Sequence, residues 1–226
     1  MIAVSETRPR SRRRNPRGQG GQLRDDIISA ATQLIAESGD DAELTLRGLA
    51  QRVGIAAPSI YRHFPDIEHL KMAVVDRTFA AFAQERDAVS RTADSPAEVL
   101  HGRCRAYCRF ALAHPGPYRF MFSHRAPAVG QAQSPAGMTA FAALAASIAR
   151  CQQTGAAQAD DDPKNLAAQV WAALHGLVIL RLNAPGFPWP AAIEEMADQA
   201  VSRLVLLDPA PSAGQHHHPS RHGESS

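Results

Sequence analysis

The chain has 226 residues, of which 45% are hydrophobic and only 6% aromatic, so it is long enough to bury one ample core or two smaller ones. Alanine dominates the apolar residues, and because alanine loses no side-chain entropy on entering a helix, this composition predicts an all-α fold. No uninterrupted apolar run reaches the roughly 18 residues of a membrane span, and no apolar segment follows the arginine-rich start as in a secretion signal. We therefore expect a cytoplasmic protein without a membrane partner.

The formal charge of +2 is unevenly distributed along the chain. Residues 1–24 hold seven arginines, among them Arg12, Arg13 and Arg14, and one acidic residue, which gives this end a net charge of +6. The first 21 residues are rich in Arg, Pro and Gly and lack periodic apolar positions, which is typical of a segment that is disordered in isolation. A basic arm of this kind fits a polyanionic partner, and a solubilising tail explains it equally well.

The ordered part begins near Leu23, where apolar residues recur at spacings of three and four up to Ile35 and predict a first helix that ends at Gly39. Thr45 is placed to cap a second helix, and Gly54 is placed to end it in a left-handed conformation. These signals predict two helices joined by a short loop.

A third, very short helix is predicted from about Ala57 to His63, because Pro58 is tolerated in the first turn of a helix. Ile60 and Phe64 lie one turn apart and are expected to face the core. A longer helix follows from Asp66 to the neighbourhood of residue 86. Two short helices with an exposed second member form a shape that fits a DNA groove.

The second half of the chain has equally clear helix signals. Ser95-Pro96-Ala97-Glu98 is a capping box, and prolines that follow Ser134 and Asp162 mark two further helix starts. The predicted helices lie near residues 95–114, 116–123, 135–153, 163–183 and 190–207.

No metal or other cofactor is expected from the sequence. The three cysteines, Cys104, Cys108 and Cys151, have no CxxC spacing and are interpreted as buried thiols. The polar carboxy-terminal end contains four histidines, but a flexible tail lacks the fixed geometry of a metal site.

The segment from about Leu23 to Val75 resembles the TetR family of bacterial transcriptional regulators. The resemblance is carried by the following residues in register: Thr45, Arg47, Leu49, Ala50, Gly54, Tyr61, His63, Phe64 and Leu70. It implies a homodimer whose helix-turn-helix heads bind a palindromic operator of double-stranded DNA. Together with the composition of the two ends, it predicts four regions: a disordered basic arm (1–21), a helix-turn-helix DNA-binding domain (22–70), a helical effector-binding and dimerisation domain (71–208) and a disordered histidine-containing tail (209–226).

Residues for DNA contact follow from this resemblance by position. They are Arg47, Ala57, Pro58, Ser59, Tyr61, Arg62 and His63, with Arg12, Arg13 and Arg14 of the arm. Two positions depart from the family pattern: Ile67 stands where a phosphate-binding lysine is common, and Ala56 stands where a capping serine is common.

The second half resembles the TetR subclass named for its Trp-x3-His-Gly signature, through the segment His114–Phe122 and through Trp171, His175 and Gly176. Aromatic and apolar side chains on several predicted helices are candidate walls of an effector pocket, although an ordinary core explains each of them as well. The candidates are Tyr107, Phe110, Tyr118, Met121, Phe141, Trp171 and His175. Because few of these positions are charged, we expect a small apolar or aromatic effector.

Apolar stripes on the last two predicted helices are candidates for a dimer interface between two copies of the chain. The residues are Leu174, Leu177 and Leu180 on one helix and Met196, Ala200 and Leu204 on the other. The function expected from the whole sequence is a ligand-responsive transcriptional repressor. The alternative is a helical protein-binding adaptor with a basic tail. An enzyme is not expected, because no GxSxG, P-loop, HExxH or paired-carboxylate pattern occurs in the sequence.

Overall fold

The computed structural model describes residues 20–89, 93–123, 135–158 and 160–205. These residues form helices, turns and loops without a strand, so the predicted all-α fold is confirmed. The basic arm with Arg12, Arg13 and Arg14 and the histidine-containing tail lie outside the described residues. The helices are α1 Gly20–Ser38, α2 Leu46–Val53, α3 Ala57–Ile60, α4 Ile67–Val89, α5 Pro96–Ala113, α6 Pro115–Ser123, α7 Pro135–Gln153, α8 Pro163–Asn183 and α9 Ile193–Val205.

Helix ends follow the local signals in the sequence closely. The Thr45 hydroxyl accepts a hydrogen bond from the Gly48 amide at 3.1 Å and so caps α2, and Gly54 ends this helix with φ of +77°. Ser95 caps α5 in the same way by accepting from the Glu98 amide at 3.2 Å. The caps therefore fix where these helices begin and end.

Two predicted helices are too long at one end. The third helix stops at Ile60 rather than at His63, because the carbonyl of Ile60 accepts from the amides of both His63 and Phe64 and closes a turn. The last helix begins at Ile193 rather than near Pro190, because a loop precedes it in which the Trp189 indole donates to the Ala184 carbonyl at 3.1 Å.

The chain forms two compact units. The first unit extends to Thr78 and also contains α6 from Gly116 onward, whereas the second comprises Phe79–Pro115 and helices α7 to α9. The sequence-based boundary at residue 70 therefore lies eight residues before this division, and it did not assign α6 to the first unit. Connections between the units occur within α4 and at the start of α6.

Within the first unit, α6 lies very close to α1. A Cβ atom added to Gly116 would be 2.6 Å from the carbonyl oxygen of Ile35, so no larger residue fits there without a backbone shift. Three further residues of α6, Tyr118, Phe120 and Met121, are buried. The glycine therefore permits a close approach of backbone to backbone.

The second unit is a helical bundle in which α5, α7, α8 and α9 pack against one another. Its buried residues include Leu100, Ile148, Val170, Val178 and Val201. Among the helices of the described residues, α8 is apolar and long enough to cross a membrane by length and composition. Only 28% of its apolar window is buried, and the helix packs against α5, α7 and α9.

All three cysteines are buried and unbridged. Burial raises the pKa of the Cys108 thiol to about 12 and raises that of Cys104 as well. Such thiols stay protonated and unreactive near neutral pH, as the sequence interpretation expected.

Candidate nucleic-acid interface and effector region

Buried and exposed side chains lie close together along the short segment that begins at the end of α3 in the first unit. Ile60 and Phe64 are 0% and 1% exposed and anchor the segment in the core, while Tyr61 between them is 53% exposed. Arg62 is also exposed, and His63 is half-buried. The turn after α3 thus presents an aromatic hydroxyl, a guanidinium and an imidazole in sequence.

Two basic residues near this face are already paired with acidic residues. Arg52 on α2 donates to both carboxylate oxygens of Glu37, at 2.8 and 2.9 Å. The Lys71 ammonium lies 2.8 Å from Asp41, and this hydrogen bond is the main reason why its pKa is raised. These cations serve the fold of the unit itself.

One exposed arginine on α2 and another just after α3 remain available to a ligand. Within the described residues, neither Arg47 on α2 nor Arg62 after α3 forms an ion pair with an acidic side chain. Both are exposed, and Nη2 of Arg62 donates to the hydroxyl of Ser59 at 3.1 Å, which holds the guanidinium on the outer side of α3. Guanidinium groups bind phosphate and guanine in two places at once, so these are the cations best suited to DNA.

Position 66 supplies a helix cap that the sequence analysis did not assign. The Asp66 carboxylate accepts from the His69 amide at 2.9 Å and lies 2.8 Å from the His69 ring, and these hydrogen bonds lower the pKa of Asp66. Ala56 makes no side-chain capping hydrogen bond before α3, as its methyl group requires. The start of α4 is therefore capped by Asp66, although Ile67 cannot bind phosphate as a lysine at this position would.

The second unit brings several of the candidate effector residues together. The Tyr107 hydroxyl on α5 lies 3.3 Å from Nδ1 of His175 on α8, and the Phe141 ring on α7 meets the Trp171 ring edge-on at 6.3 Å. Burial lowers the pKa of His175, so its imidazole is neutral near pH 7. Trp171 is 39% exposed, and it is therefore not a core residue of the chain taken singly.

The other candidates are divided between the two units. Phe110 packs against Phe82 in the second unit with ring centroids 5.6 Å apart. Tyr118 and Met121 instead belong to the first unit, through α6, and are 0% and 6% exposed. The sequence alone could not assign Tyr118 and Met121 to the first unit, because the close approach of Gly116 to α1 is a contact between distant parts of the chain.

The candidate dimer residues differ widely in exposure. Leu174 is buried inside the second unit, Leu177, Met196, Ala200 and Leu204 are half-buried, and Leu180 is 58% exposed. The outward side of α8 has the exposed alanines 168 and 172 and no charged residue between Lys164 and Arg181. This helix therefore has an apolar outer face beside a buried inner one.

A chain of hydrogen bonds between α5 and α9 escaped the sequence analysis. Nδ1 of His101 lies 3.0 Å from Asp198, and Nε2 of His101 lies 3.3 Å from the hydroxyl of Ser202. The order of groups is that of a serine-hydrolase triad. However, Ser202 lies inside α9, where neighbouring amides are used by the helix, and Asp198 is also bound by Arg105 at 2.8 Å. We interpret the group as a connection between two helices.

Comparisons with known proteins agree with this arrangement. A model of bacterial regulatory proteins of the tetR family matches residues 27–74, and a model of a tetracyclin repressor-like C-terminal domain matches residues 100–204. An uncharacterized HTH-type transcriptional regulator of Mycobacterium tuberculosis is 31% identical over 163 residues, which is 71% of this chain and 70% of that protein. The chain belongs to the TetR family.

Solved structures share the TetR-family fold over most of their length. A protein of unknown function from Rhodococcus sp. RHA1 has a TM-score of 0.69 and 23% identity, covering 81% of this chain and 94% of that one. RolR in complex with resorcinol has a TM-score of 0.62 and 22% identity, covering 83% of this chain and 89% of RolR. At these identities the likeness shows the fold, and the helix-turn-helix of this TetR-family regulator is the segment containing α2 and α3.

Proposed function

We propose that this TetR-family chain is a cytoplasmic, ligand-responsive repressor that binds a palindromic operator as a homodimer. The observation that carries the proposal is the charge pattern around α2 and α3. Arg47 and Arg62 are exposed and form no ion pair within the described residues, whereas Arg52 and Lys71 nearby are bound to carboxylates. Tyr61, Ser59 and His63 add hydroxyl and imidazole donors that suit phosphate oxygens. The backbone amide of Ala57 is a further donor near the start of α3, whereas Pro58 has no amide hydrogen and could only pack against the groove.

Selection of genomic fragments by the purified full-length chain tests operator binding directly. Arg62→Ala should weaken binding to a recovered fragment by about 1–3 kcal/mol and reduce discrimination between related sites, if Arg62 reads a base. Arg47→Ala should weaken binding to all fragments to a similar extent. It should also reduce the slope of log affinity against log salt concentration by about 0.9, as expected for the loss of one phosphate contact. The matched control is Arg52→Ala, because Arg52 is also on α2 but is bound to Glu37.

Equal effects of the three substitutions would contradict the assignment of Arg47 and Arg62. Uniformly weak retention of all fragments by the unmodified chain would instead support a protein-binding adaptor with a basic tail. The same assay on a chain lacking residues 1–19 tests Arg12, Arg13 and Arg14: deletion should weaken binding and flatten its salt dependence, because each phosphate contact releases counterions.

We propose the outer face of α8, together with α9, as the dimer interface. Leu180 is its most exposed large residue, and a C2 interface places each such residue against the same surface of the second copy. Leu180→Asp should therefore give monomers in sedimentation experiments and weak operator binding. Met138→Asp is the matched control, because Met138 is a similarly exposed apolar residue, at 50%, on α7 rather than on α8 or α9. Loss of the dimer in both variants, or in neither, would argue against this interface.

We propose that the second unit is the effector-binding region of a regulator in the Trp-x3-His-Gly subclass. The residues expected near the ligand are Tyr107, Phe110, Phe141, Trp171 and His175. Support comes from the exposed Trp171 ring, the neutral His175 and the Tyr107 hydroxyl 3.3 Å from it. Because coupling is reciprocal, an effector that lowers operator affinity must bind less tightly when operator is present. Replacing Trp189 with Phe leaves Trp171 as the fluorophore for titration with small aromatic compounds. If a compound releases the operator completely while the Trp171 fluorescence stays unchanged, the effector binds elsewhere.

A further inference from the structure

An arginine in the second unit is buried without full use of its hydrogen-bond donors. The Arg86 side chain on α4 is 9% exposed, and its Nε and Nη2 donate to the Asp87 carboxylate at 2.9 and 3.1 Å. Its Nη1 has no hydrogen-bond partner within the part of the chain that the structure describes. A buried donor of this kind carries a free-energy cost that an anionic partner would remove.

A second guanidinium lies in the same place. Nη2 of Arg103 on α5 lies 3.7 Å from Asp87, and Nη1 donates to the hydroxyl of Ser147 on α7. Burial, and after it the like charge of Arg86, lower the pKa of Arg103. The cluster of Arg86, Asp87, Arg103 and Ser147 carries a net positive charge, because two guanidiniums share the single carboxylate of Asp87.

A glycine on α5 allows Arg103 and Asp87 to lie close together. Gly102 precedes Arg103 on α5, and a Cβ atom at this position would collide with the Val89 side chain at the end of α4. The absent side chain lets the two helices approach, and this approach places Arg103 beside Asp87. Arg103 and Asp87 keep 20% and 51% exposure, so the cluster borders solvent.

Aromatic rings continue from the cluster toward the proposed effector region. The Arg86 guanidinium lies 5.8 Å from the centre of the Phe82 ring, which packs edge-on against Tyr107 at 5.6 Å. The Tyr107 hydroxyl in turn lies 3.3 Å from His175. A charged end and an apolar end are therefore adjacent within one unit.

We propose that the effector is an organic acid with an apolar or aromatic body, and that Arg86 and Arg103 bind its carboxylate with help from the Ser147 hydroxyl. The inference rests on the proposed function, since it names the chemical class of the ligand for the same region. Two arginines match the two oxygens of a carboxylate better than they match a neutral amide or phenol, because the forked donors bind each oxygen directly.

The test compares acids with their neutral amides on the full-length chain. The probes are benzoate and benzamide, phenylacetate and phenylacetamide, and octanoate and octanamide, at equal ionic strength near neutral pH. At least one acid should raise the melting temperature and show saturable binding by calorimetry, while its amide does neither. Equal behaviour of acid and amide in all three pairs overturns the inference.

Substitutions locate the site. Arg86→Gln and Arg103→Lys should each weaken binding of the active acid by about tenfold to a hundredfold, as expected for loss of a hydrogen bond to a charged group. Arg109→Gln is the matched control, because Arg109 is exposed on the same helix as Arg103. If Arg86→Gln does not fold, Arg103→Lys decides the question, since it keeps the charge and loses only the forked donors. Unchanged acid binding in the folded arginine variants overturns the inference.

The outcome is separable from that of the proposed function. Retention of genomic fragments is measured without any acid present, and its failure refutes the operator-binding regulator whatever the acids do. Selective retention combined with equal behaviour of acids and amides refutes the acid-binding site and leaves operator binding intact.

Discussion

Replacement of Gly116 by alanine is expected to destabilise the first unit, although alanine favours helices. An added Cβ would lie 2.6 Å from the Ile35 carbonyl oxygen and 3.1 Å from Cα of Ala36, where ordinary contacts begin at 3.4 Å. The helix α6 would have to move by about 0.8 Å, and the obstacle is backbone that cannot rotate away. Overpacking of this kind costs about 1–3 kcal/mol, and the gain from replacing a helical glycine offsets about 0.5–1 kcal/mol of it.

The net expectation is a loss of up to about 2.5 kcal/mol in the free energy of unfolding, or up to about 10 °C in melting temperature for a chain of this size. Urea and thermal unfolding followed by circular dichroism, at one fixed protein concentration, provide the measurement. Gly21→Ala is the matched control, because Gly21 is also the second residue of a helix and a Cβ there would meet nothing within 4 Å. A Gly116→Ala variant as stable as Gly21→Ala would refute the close approach of α6 to α1.

Two further substitutions test other features of the two units. Thr45→Ala removes the oxygen that accepts from the Gly48 amide and should lower the free energy of unfolding by about 1 kcal/mol, whereas Thr45→Ser keeps the cap; equal urea midpoints for the two variants would show that the cap is not stabilising. His175 has a pKa lowered from 6.5 by burial, so its contribution to stability is fully present above pH 6.5 and is lost as the pH falls through 6.5 toward the folded-state pKa. His175→Gln should therefore lose less stability than the unmodified chain between about pH 7.5 and about pH 5.5 in urea unfolding, and an identical loss in both would contradict the burial of a neutral imidazole.

Helix limits were predictable from the sequence because the signals that set them are local. Thr45, Ser95 and Asp162 each accept a hydrogen bond from an amide two or three residues later, and no distant residue takes part. The predicted end of α3 was wrong because no single residue type marks it. Where α3 ends depends on how the Ile60 carbonyl is shared by two following amides, which composition does not determine.

Contacts between distant residues were not predictable from periodicity. Arg86 occupies a position in α4 that looks solvated in the sequence, yet it is buried because Asp87, Phe82 and the neighbouring α5 surround it. The bond between His101 and Asp198 joins residues separated by 97 positions, and only the packing of α5 on α9 brings them together. Conversely, the exposed and buried sides of the segment around Tyr61 followed from spacing, because Ile60 and Phe64 lie one turn apart.

The assignment of α6 to the first unit has a consequence for protein engineering. A chimaera that takes residues up to Thr78 from one family member and the remainder from another would combine an incoming α1 with a resident α6. The backbone fit at Gly116 would then have to be matched between two parents that never evolved together. Exchange of operator specificity by grafting should therefore transfer α6 from Gly116 onward along with the amino-terminal helices, because the unit to be moved is contiguous in space and interrupted in sequence.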